Sequence, residues 1–216
     1  MPDQPTLQTQ IETEVLGNIP EPFASVIDRM VADLRDRGVT PGIAVGEQAP
    51  RFEAPDAHGK PVRLEDRLAA GPVVLSFYRG AWCPICNLEL RALQQILPEL
   101  RAAGAALVAI SPQAPDASLP LVETLDLGFD VLSDLDQSII AAYRLQFELP
   151  DDLKMLYEQI EMPLTAINAD GTWNLPVPAT FVIDTDGVVR ARHVDPDYHT
   201  RMEPREILAA VVELTR

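Results

Sequence analysis

Two cysteines, Cys83 and Cys86, are the residues of this sequence with the strongest potential for chemistry. They are the only cysteines in the 216 residues, and they stand three positions apart within the string Trp82-Cys83-Pro84-Ile85-Cys86. A disulfide across so short a loop removes little conformational entropy from the unfolded chain, so it would stabilise the fold only weakly. We therefore interpret the pair as a redox centre and not as a structural crosslink.

The elements on either side place this pair at the start of a helix. Residues 73–77 form an apolar run that is typical of a buried strand, and from Pro84 onward apolar residues recur at helical spacing. We therefore expect Cys83 to be the helix N-cap and Pro84 to be the first helical residue. The free N–H groups and the helix dipole at that end favour a thiolate, which lowers the pKa of a cysteine there.

Two other interpretations of the cysteines are a pair of buried core thiols and half of a zinc site. A zinc site needs about four ligands. Beyond the cysteines, the sequence offers only His58, His193 and His199, which are scattered and lack ligand spacing. We therefore expect no metal site. His193 and Tyr198 follow the last predicted strand and are interpreted as packing and surface residues.

Charge and composition limit the partners of the protein. Thirty-three acidic residues against 17 basic ones give a net charge of -16, which repels phosphate backbones and anionic lipid surfaces. The first five residues lack the basic region and apolar core of a signal peptide, and no stretch approaches the ~20 apolar residues of a membrane span. These features predict a cytoplasmic protein without nucleic-acid or membrane partners, where a Cys-x-x-Cys pair is more often catalytic than structural.

The pattern of apolar residues divides the chain into two segments. Residues 1–44 carry two amphipathic helical stripes and are predicted to form an N-terminal helical extension, which covers either its own core or a second subunit of a homodimer. Residues 45–216 alternate apolar runs with helical patterns. They predict an α/β domain with a parallel strand-helix-strand crossover around the cysteines and a β-hairpin near the C-terminus. Pro98 is expected to bend or break the helix after the cysteines.

Five stretches carry a resemblance to a known family, namely residues 45–52, 77–86, 110–112, 132–134 and 177–184. Together they resemble the peroxiredoxin-like branch of the alkyl hydroperoxide reductase and thiol-specific antioxidant family, which has a thioredoxin-like fold. This resemblance implies thiol-dependent reduction of a hydroperoxide substrate without a metal or organic cofactor. It also implies that thioredoxin or a similar dithiol protein restores the reduced cysteines.

The chain departs from the family pattern at two places. Peroxiredoxins usually show Pro-x-x-x-Thr/Ser-x-x-Cys, and in that register Arg79 stands at the proline, Cys83 at the threonine and Cys86 at the peroxide-reducing cysteine. The arginine that usually precedes the Ala-Thr-Phe strand is replaced by Pro178, which resembles the cis-proline of thioredoxins. We therefore expect Pro178 to be cis and to lie against the cysteines, with Arg79 supplying the missing positive charge.

The predicted site comprises Cys83, Cys86 and Arg79 as catalytic residues and Trp82 and Pro178 as substrate-binding residues. The family register favours Cys86 as the attacking cysteine. The physics of a helix end favours Cys83, because an N-cap thiol faces free N–H groups and solvent whereas Cys86 points toward the interior. We favour Cys83 as the nucleophile and Cys86 as the resolving partner. Trp82 is equally consistent with a lid over the start of the helix.

Two rival functions remain open. One is a thiol-disulfide oxidoreductase that acts on protein disulfides, which the Trp-Cys-Pro-Ile-Cys string and Pro178 also fit. The other is a non-enzymatic redox sensor or scaffold that uses the N-terminal helices as a binding surface. Consumption of peroxide supports the peroxidase, reduction of insulin disulfides without peroxide consumption supports the oxidoreductase, and neither activity supports the sensor.

Overall fold

The computed structural model describes residues 5–215, so residues 1–4 of the predicted extension and residue 216 of the predicted α/β domain lie outside it. The strands are β1 (Glu53–Pro55), β2 (Pro61–Arg63), β3 (Val73–Phe77), β4 (Ala106–Ser111), β5 (Asp130–Ser133), β6 (Gln146–Glu148), β7 (Asn174–Pro176), β8 (Ala179–Ile183) and β9 (Val189–Val194). The helices are α1 (Leu7–Glu14), α2 (Phe23–Arg37), α3 (Leu64–Leu68), α4 (Pro84–Ala102), α5 (Pro115–Thr124), α6 (Ser138–Ala142), α7 (Asp151–Gln159) and α8 (Pro204–Leu214). Within residues 5–215, no helix has the length and apolar character needed to cross a membrane.

A five-stranded mixed sheet with the order β5-β4-β3-β8-β9 forms the centre of the protein. Strand β3 pairs in parallel with β4 and antiparallel with β8, and β8 and β9 form an antiparallel hairpin. The connection from β3 through α4 to β4 is therefore the predicted parallel crossover. The mixed sheet, the crossover and the hairpin confirm the predicted α/β fold.

Strand β3 is buried along its whole length because hydrophobic clusters cover both faces of the sheet. Val74 belongs to the cluster that contains α4 and the N-terminal helices, whereas Val73, Leu75 and Phe77 belong to the cluster on the opposite face. This alternation follows from the two-residue period of a strand. The cysteines directly after β3 therefore begin their helix at the centre of the fold.

The N-terminal helices pack on this protein's own core. Leu7 and Ile11 of α1 and five residues of α2 are buried in the same cluster as α4. The carboxylate of Glu203 accepts hydrogen bonds from the backbone N–H groups of Leu7 and Gln8 at 3.0 and 2.9 Å, which ties the start of α1 to the start of α8. Of the two predicted arrangements, the extension thus adopts the one in which its stripes cover its own chain.

Helix α4 continues through Pro98 to Ala102, so of the two expected effects of this proline, a bend or a break, the break does not occur. A proline inside a helix costs about 3 kcal/mol or more, because it removes one hydrogen bond and its ring crowds the preceding turn. Leu93, Leu97 and Leu100 are buried around it. Each buried leucine contributes about 1.5–3 kcal/mol, so these three side chains together offset the cost of the proline.

Candidate functional site

A tight loop carries the chain from β3 into α4 and places the cysteines. Cys83 is the N-cap of α4 with an extended backbone (φ -90°, ψ 113°), and Pro84 is the first helical residue, as predicted. Gly80 in this loop has a φ of 144°, and a Cβ atom there would lie 2.6 Å from Nε1 of Trp82. Only glycine fits this backbone position, and its small size lets Trp82 fold close over the loop.

Arg79 contacts the sulfur of Cys83 directly. Its Nη2 donates a hydrogen bond to Cys83 Sγ at 3.0 Å, and the side chain is only 5% exposed. The ring of Tyr198 lies beneath the guanidinium at 3.6 Å, and the ring of Trp82 lies at 5.2 Å. These aromatic contacts hold the positive charge of Arg79 against the cysteine, which is the place that the sequence predicted for it.

The two cysteines have opposite electrostatic character. Burial alone would raise the pKa of the Cys83 thiol, but a hydrogen bond from Cys86 and the charge of Arg79 outweigh burial and hold that pKa well below its ordinary value. Burial raises the pKa of Cys86 well above its ordinary value, and the hydrogen bond and negative charge of Cys83 add to the rise. The surroundings of the pair therefore favour the thiolate at Cys83 and the thiol at Cys86.

Cys83 is fully buried, which corrects the expectation that its thiol faces solvent. The stacked side chains of Arg79, Trp82 and Tyr198 enclose the start of α4, and sequence could not show that Tyr198 returns to this point from beyond β9. The sulfur of Cys83 is therefore shielded from solvent. The Cys83 side chain accepts no capping hydrogen bond from the helix N–H groups, so its lowered pKa is due to the hydrogen bond from Cys86 and the charge of Arg79.

A buried ion pair lies beside Cys86 and was not predicted from the sequence. Arg201 Nε donates to Glu89 Oε2 at 2.6 Å, and both side chains are almost completely buried. Arg201 Nη2 lies 3.8 Å from Cys86 Sγ, and its Nη1 donates to the backbone carbonyl of Thr200 at 2.7 Å. Glu89 lies on the apolar stripe of α4, three residues after Cys86. Because an acidic residue is rarely buried without a partner, its position on this stripe is the one sequence signal that could have indicated a buried ion pair.

Val177–Pro178 is a trans peptide bond, so the expected cis-proline is wrong; among residues 5–215 the cis bond is Glu21–Pro22. The chain stays extended from β7 into β8 because the N–H of Val177 donates to the carbonyl of Leu145 at 2.8 Å. No tight turn is made there that a cis bond would serve. Pro178 is buried directly before Ala179, which pairs with Phe77 at the cysteine end of the sheet.

Trp82 lines a cavity of about 400 Å³ above the cysteine loop. Arg79, Pro84, Ile85 and Tyr198 line the same cavity. The structure therefore brings Cys83, Cys86, Arg79 and Trp82 together at the cysteine end of the sheet. In the described part of the chain, no three His, Cys, Asp or Glu side chains are grouped so as to hold a metal ion.

Replacing Arg79 with methionine is expected to raise the pKa of Cys83, because the burial that opposes ionisation remains while its positive neighbour is lost. At any pH between the Cys83 pKa of the unaltered protein and the higher pKa of the variant, the variant therefore holds Cys83 as a thiol where the unaltered protein holds it as a thiolate. We expect the thiolate population at mildly acidic pH to fall about tenfold or more. A pH titration of the thiolate ultraviolet absorbance measures this without a reagent reaching the buried sulfur.

The matched control is Arg91→Met, because Arg91 is exposed on the same helix. Its titration curve should coincide with that of the unaltered protein. If Arg79→Met also leaves the curve unchanged, Arg79 does not stabilise the thiolate.

Comparison with known proteins gives relatives of two kinds. Thiol-disulfide oxidoreductase ResA of Bacillus thuringiensis subsp. konkukian is 27% identical over 146 residues, which cover 67% of this chain and 66% of ResA. The chain thus spans just under two thirds of the length of that relative. Peroxiredoxin Q, chloroplastic, of Sedum lineare is 26% identical over 209 residues, which cover 97% of each protein.

Solved structures show the same fold. Peroxidoxin BcpB from Mycobacterium tuberculosis superposes with a TM-score of 0.63 at 26% identity, covering 80% of this chain and 98% of BcpB. The reduced 2-Cys peroxiredoxin of Plasmodium vivax superposes with a TM-score of 0.59 at 23% identity, covering 78% of this chain and 80% of that one. These neighbours confirm the predicted thioredoxin-like fold of the peroxiredoxin type. A model of the AhpC/TSA family matches residues 45–192, and the chain belongs to that family.

Proposed function

We propose that this protein is a thiol-dependent peroxidase that reduces hydroperoxides through Cys83 and Cys86. The observation that carries the proposal is the asymmetry of the cysteine pair in a chain of the AhpC/TSA family. Arg79 donates to the Cys83 sulfur at 3.0 Å, and the pKa of Cys83 is held low while the pKa of Cys86 is raised. A thiolate is the nucleophilic form of cysteine, and a neighbouring thiol is the group needed to resolve its oxidised product.

In the first step the Cys83 thiolate attacks one oxygen of the hydroperoxide. An S–O bond forms and the O–O bond breaks, so the sulfur is oxidised to a sulfenic acid and the peroxide is reduced. The departing oxygen leaves as alkoxide and takes a proton to become the alcohol, or water if the substrate is hydrogen peroxide. The negative charge moves from sulfur to that oxygen, and the guanidinium of Arg79 stabilises it there.

In the second step Cys86 attacks the sulfenic sulfur of Cys83. An S–S bond forms, and the hydroxyl leaves with the thiol proton of Cys86 as water. Arg201, 3.8 Å from Cys86 Sγ, stabilises the negative charge that develops as this proton departs. An external dithiol protein of the thioredoxin type then attacks the disulfide and restores both cysteines through a mixed disulfide. No metal or organic cofactor takes part in either step.

Rapid mixing of the reduced protein with one equivalent of peroxide tests this function. We expect peroxide to be consumed in one exponential phase and one disulfide to form per chain. Intrinsic tryptophan fluorescence reports the reaction, because Trp82 precedes Cys83 directly. Quantitative recovery of unreacted peroxide together with two free thiols per chain would refute the peroxidase function.

A thiol-disulfide oxidoreductase is the second candidate, and the similarity to ResA favours it. Two sequence features suggested this function, the Trp-Cys-Pro-Ile-Cys string and Pro178. Pro178 no longer supports it, because its peptide bond is trans and does not reproduce the cis-proline geometry of thioredoxins. Reduction of insulin disulfides by the reduced protein, without consumption of added peroxide, would establish this candidate in place of the peroxidase.

The charge of the chain limits the partners of the proposed reaction. A net charge of -16 disfavours nucleic acid and anionic membrane surfaces as partners. We propose a cytoplasmic enzyme whose partners are the hydroperoxide and the dithiol reductant.

A further inference from the structure

The connecting segment, residues 195–203 between β9 and α8, brings two side chains to the cysteines. The ring of Tyr198 lies 3.6 Å from the guanidinium carbon of Arg79, and Arg201 Nη2 lies 3.8 Å from Cys86 Sγ. Residues 195–203 belong to neither a strand nor a helix. Because no sheet or helix fixes the position of the connecting segment, other contacts must hold it against the cysteines.

Two aspartates fold the connecting segment into tight turns. The carboxylate of Asp195 accepts a hydrogen bond from the backbone N–H of Asp197 at 2.8 Å. Asp197 accepts one from the N–H of His199 at 3.1 Å, and its Oδ1 also lies 3.0 Å from Nδ1 of that ring. Such bonds from an aspartate to the backbone two residues on are typical of turns. Tyr198 stands within these turns, so its place depends on where the turns are anchored.

The N-terminal extension holds the connecting segment at both ends. On α2, Arg35 Nη2 lies 2.8 Å from Asp195 Oδ1 and 3.9 Å from Asp197 Oδ2. At the other end, the carboxylate of Glu203 accepts hydrogen bonds from two backbone N–H groups at the start of α1, at 3.0 and 2.9 Å. Helix α2 therefore contacts the first residue of the connecting segment and helix α1 contacts the last.

The end of the extension is itself fixed to β9, directly before the connecting segment. Arg192 Nη1 donates to the backbone carbonyls of Pro41 and Ile43 at 2.8 and 2.6 Å. The extension and the connecting segment both lie outside residues 45–192, the part of the chain that the AhpC/TSA family model matches. Two parts of the chain outside the family segment thus contact each other and reach the cysteines together.

We propose that the N-terminal extension is a positioning element for the redox site. By holding the connecting segment at both ends, it keeps the ring of Tyr198 beneath Arg79 and the guanidinium of Arg79 against Cys83. Arg35 and Glu203 are the positioning residues. An aromatic ring that lies against a guanidinium attracts it, so loss of this ring contact weakens the hold on Arg79. The inference concerns the ionisation of Cys83 and applies to a peroxidase and to a disulfide reductase alike.

The charged and titratable groups that interact with Cys83 come from four parts of the chain. They are Arg79 of the cysteine loop, Cys86 and Glu89 of α4, Tyr157 of α7, and Tyr198 and Arg201 of the connecting segment. Arg35 and Glu203 are not among them. A variant of these two positioning residues therefore leaves every one of these groups in the protein, and a change in the pKa of Cys83 would report their displacement.

The test compares two double variants of the full-length protein. The tether variant is Arg35→Met/Glu203→Ala, and the control variant is Arg37→Met/Glu206→Ala. Each removes one positive charge from α2 and one negative charge from the start of α8. Arg37 pairs with Asp33 inside α2, and Glu206 is the other half of the capping box that Glu203 makes at α8. The control variant thus loses the same charges and the same capping box but keeps both contacts of the extension.

The measured quantity is the ratio of thiolate to thiol at mildly acidic pH, from a titration of the thiolate ultraviolet absorbance. We expect this ratio to fall about fivefold in the tether variant and to stay unchanged in the control variant. An unchanged ratio in a tether variant that unfolds at the same temperature as the control variant would overturn the inference. If the tether variant unfolds early, the single variants Arg35→Met and Arg37→Met, both at exposed positions, make the same comparison.

A second titration asks whether the extension acts through Arg79. Changes that act through one residue are not additive. In protein that already carries Arg79→Met, the two tether substitutions are therefore expected to lower the thiolate ratio by less than twofold. A further fivefold fall there would show an effect that bypasses Arg79 and would overturn the inference. The titrations contain no peroxide, so a shifted titration without peroxide turnover would refute the peroxidase function alone.

Discussion

Cys83→Ser is expected to abolish peroxide reduction, whereas Cys86→Ser is expected to retain a single turnover. The reason is that the surroundings lower the pKa of Cys83 and raise the pKa of Cys86, so Cys83 is the better nucleophile. Loss of a covalent nucleophile lowers a rate by about a thousandfold or more. A serine hydroxyl in place of Cys83 is not ionised at neutral pH and cannot form a sulfenic acid, so no oxidised intermediate should be detected.

Dimedone labelling followed by mass spectrometry distinguishes the two variants. Cys86→Ser should carry a dimedone adduct on Cys83 after one equivalent of peroxide, because the sulfenic acid forms and no resolving thiol remains. Cys83→Ser should carry none. An adduct on Cys86 in the Cys83→Ser variant, at the rate of the unaltered protein, would reverse the two roles and restore the register of the family motif.

Loss of multiple turnover in Cys86→Ser is an equally informative result. Without Cys86 the sulfenic acid can be reduced only by an external thiol, which must reach a sulfur that is fully buried. We expect steady-state turnover with a protein dithiol to fall far more than the rate of the first peroxide reaction. The ratio of these two losses separates the resolving role of Cys86 from any general damage to the site.

The position of the cysteines could be predicted from the sequence because it depends on local patterns. The apolar run of residues 73–77 and the proline after Cys83 specify a buried strand followed by a helix start, and both are found. The hydrogen bond from Arg79 to Cys83 spans only four residues, so its position four residues before the cysteine was a sufficient signal.

The surroundings of the cysteines could not be predicted, because they come from distant parts of the chain. Tyr198 and Arg201 belong to the segment after β9. From the sequence, Tyr198 was interpreted as a packing or surface residue, and Arg201 was assigned no role. Arg201 pairs with Glu89 across 112 positions. The contacts of the N-terminal extension with residues 195–203 are equally remote. Burial of Cys83 results from these long-range contacts, so the expectation that its thiol faces solvent was wrong. Its pKa is lowered, as predicted, but by Cys86 and Arg79 and not by hydrogen bonds from the helix N–H groups.

The geometry at Pro178 shows a different limit of sequence reasoning. A proline that opens an apolar strand is consistent with either peptide isomer, and the expectation of a cis bond came from a likeness to thioredoxins. The bond is trans, and the hydrogen bond from Val177 to Leu145 extends the β6–β7 ribbon toward β8. That pairing depends on the segment between residues 147 and 173, whose packing the pattern of residues did not reveal.

Arg201→Met is expected to destabilise the protein by about 3–5 kcal/mol, because it leaves the carboxylate of Glu89 buried without its partner. Burial already raises the pKa of Glu89 above its ordinary value even with Arg201 present. Without that positive charge the folded-state pKa rises further. The free energy of unfolding, measured by urea denaturation, should therefore fall most at neutral pH, where the unfolded state holds Glu89 ionised at no cost.

The pH dependence gives the sign of the effect. When a carboxyl group has a higher pKa in the folded protein than in the unfolded chain, the protein becomes less stable as the pH rises toward the folded-state pKa. The stability returns in acid, where the group is protonated in both the folded and the unfolded protein. We therefore expect the deficit of Arg201→Met to shrink as the pH falls below the ordinary value for glutamate, about 4.3. The surface pair of Arg29 and Asp152, with side chains 64% and 42% exposed, is the control, and Arg29→Met should cost no more than about 1 kcal/mol.

The double variant Glu89→Leu/Arg201→Met separates the uncompensated charge from lost packing. If the charge causes the instability, removing Glu89 as well should recover most of the free energy of unfolding and abolish its dependence on acid pH, since apolar replacement of a buried ion pair is often neutral or stabilising. If the double variant is as unstable as Arg201→Met at every pH, the backbone hydrogen bonds of Arg201 to the carbonyls of Tyr198 and Thr200 carry the stability instead. Those bonds hold the segment that places Tyr198 beneath Arg79. In that outcome the thiolate titration of Cys83 should be altered in both variants.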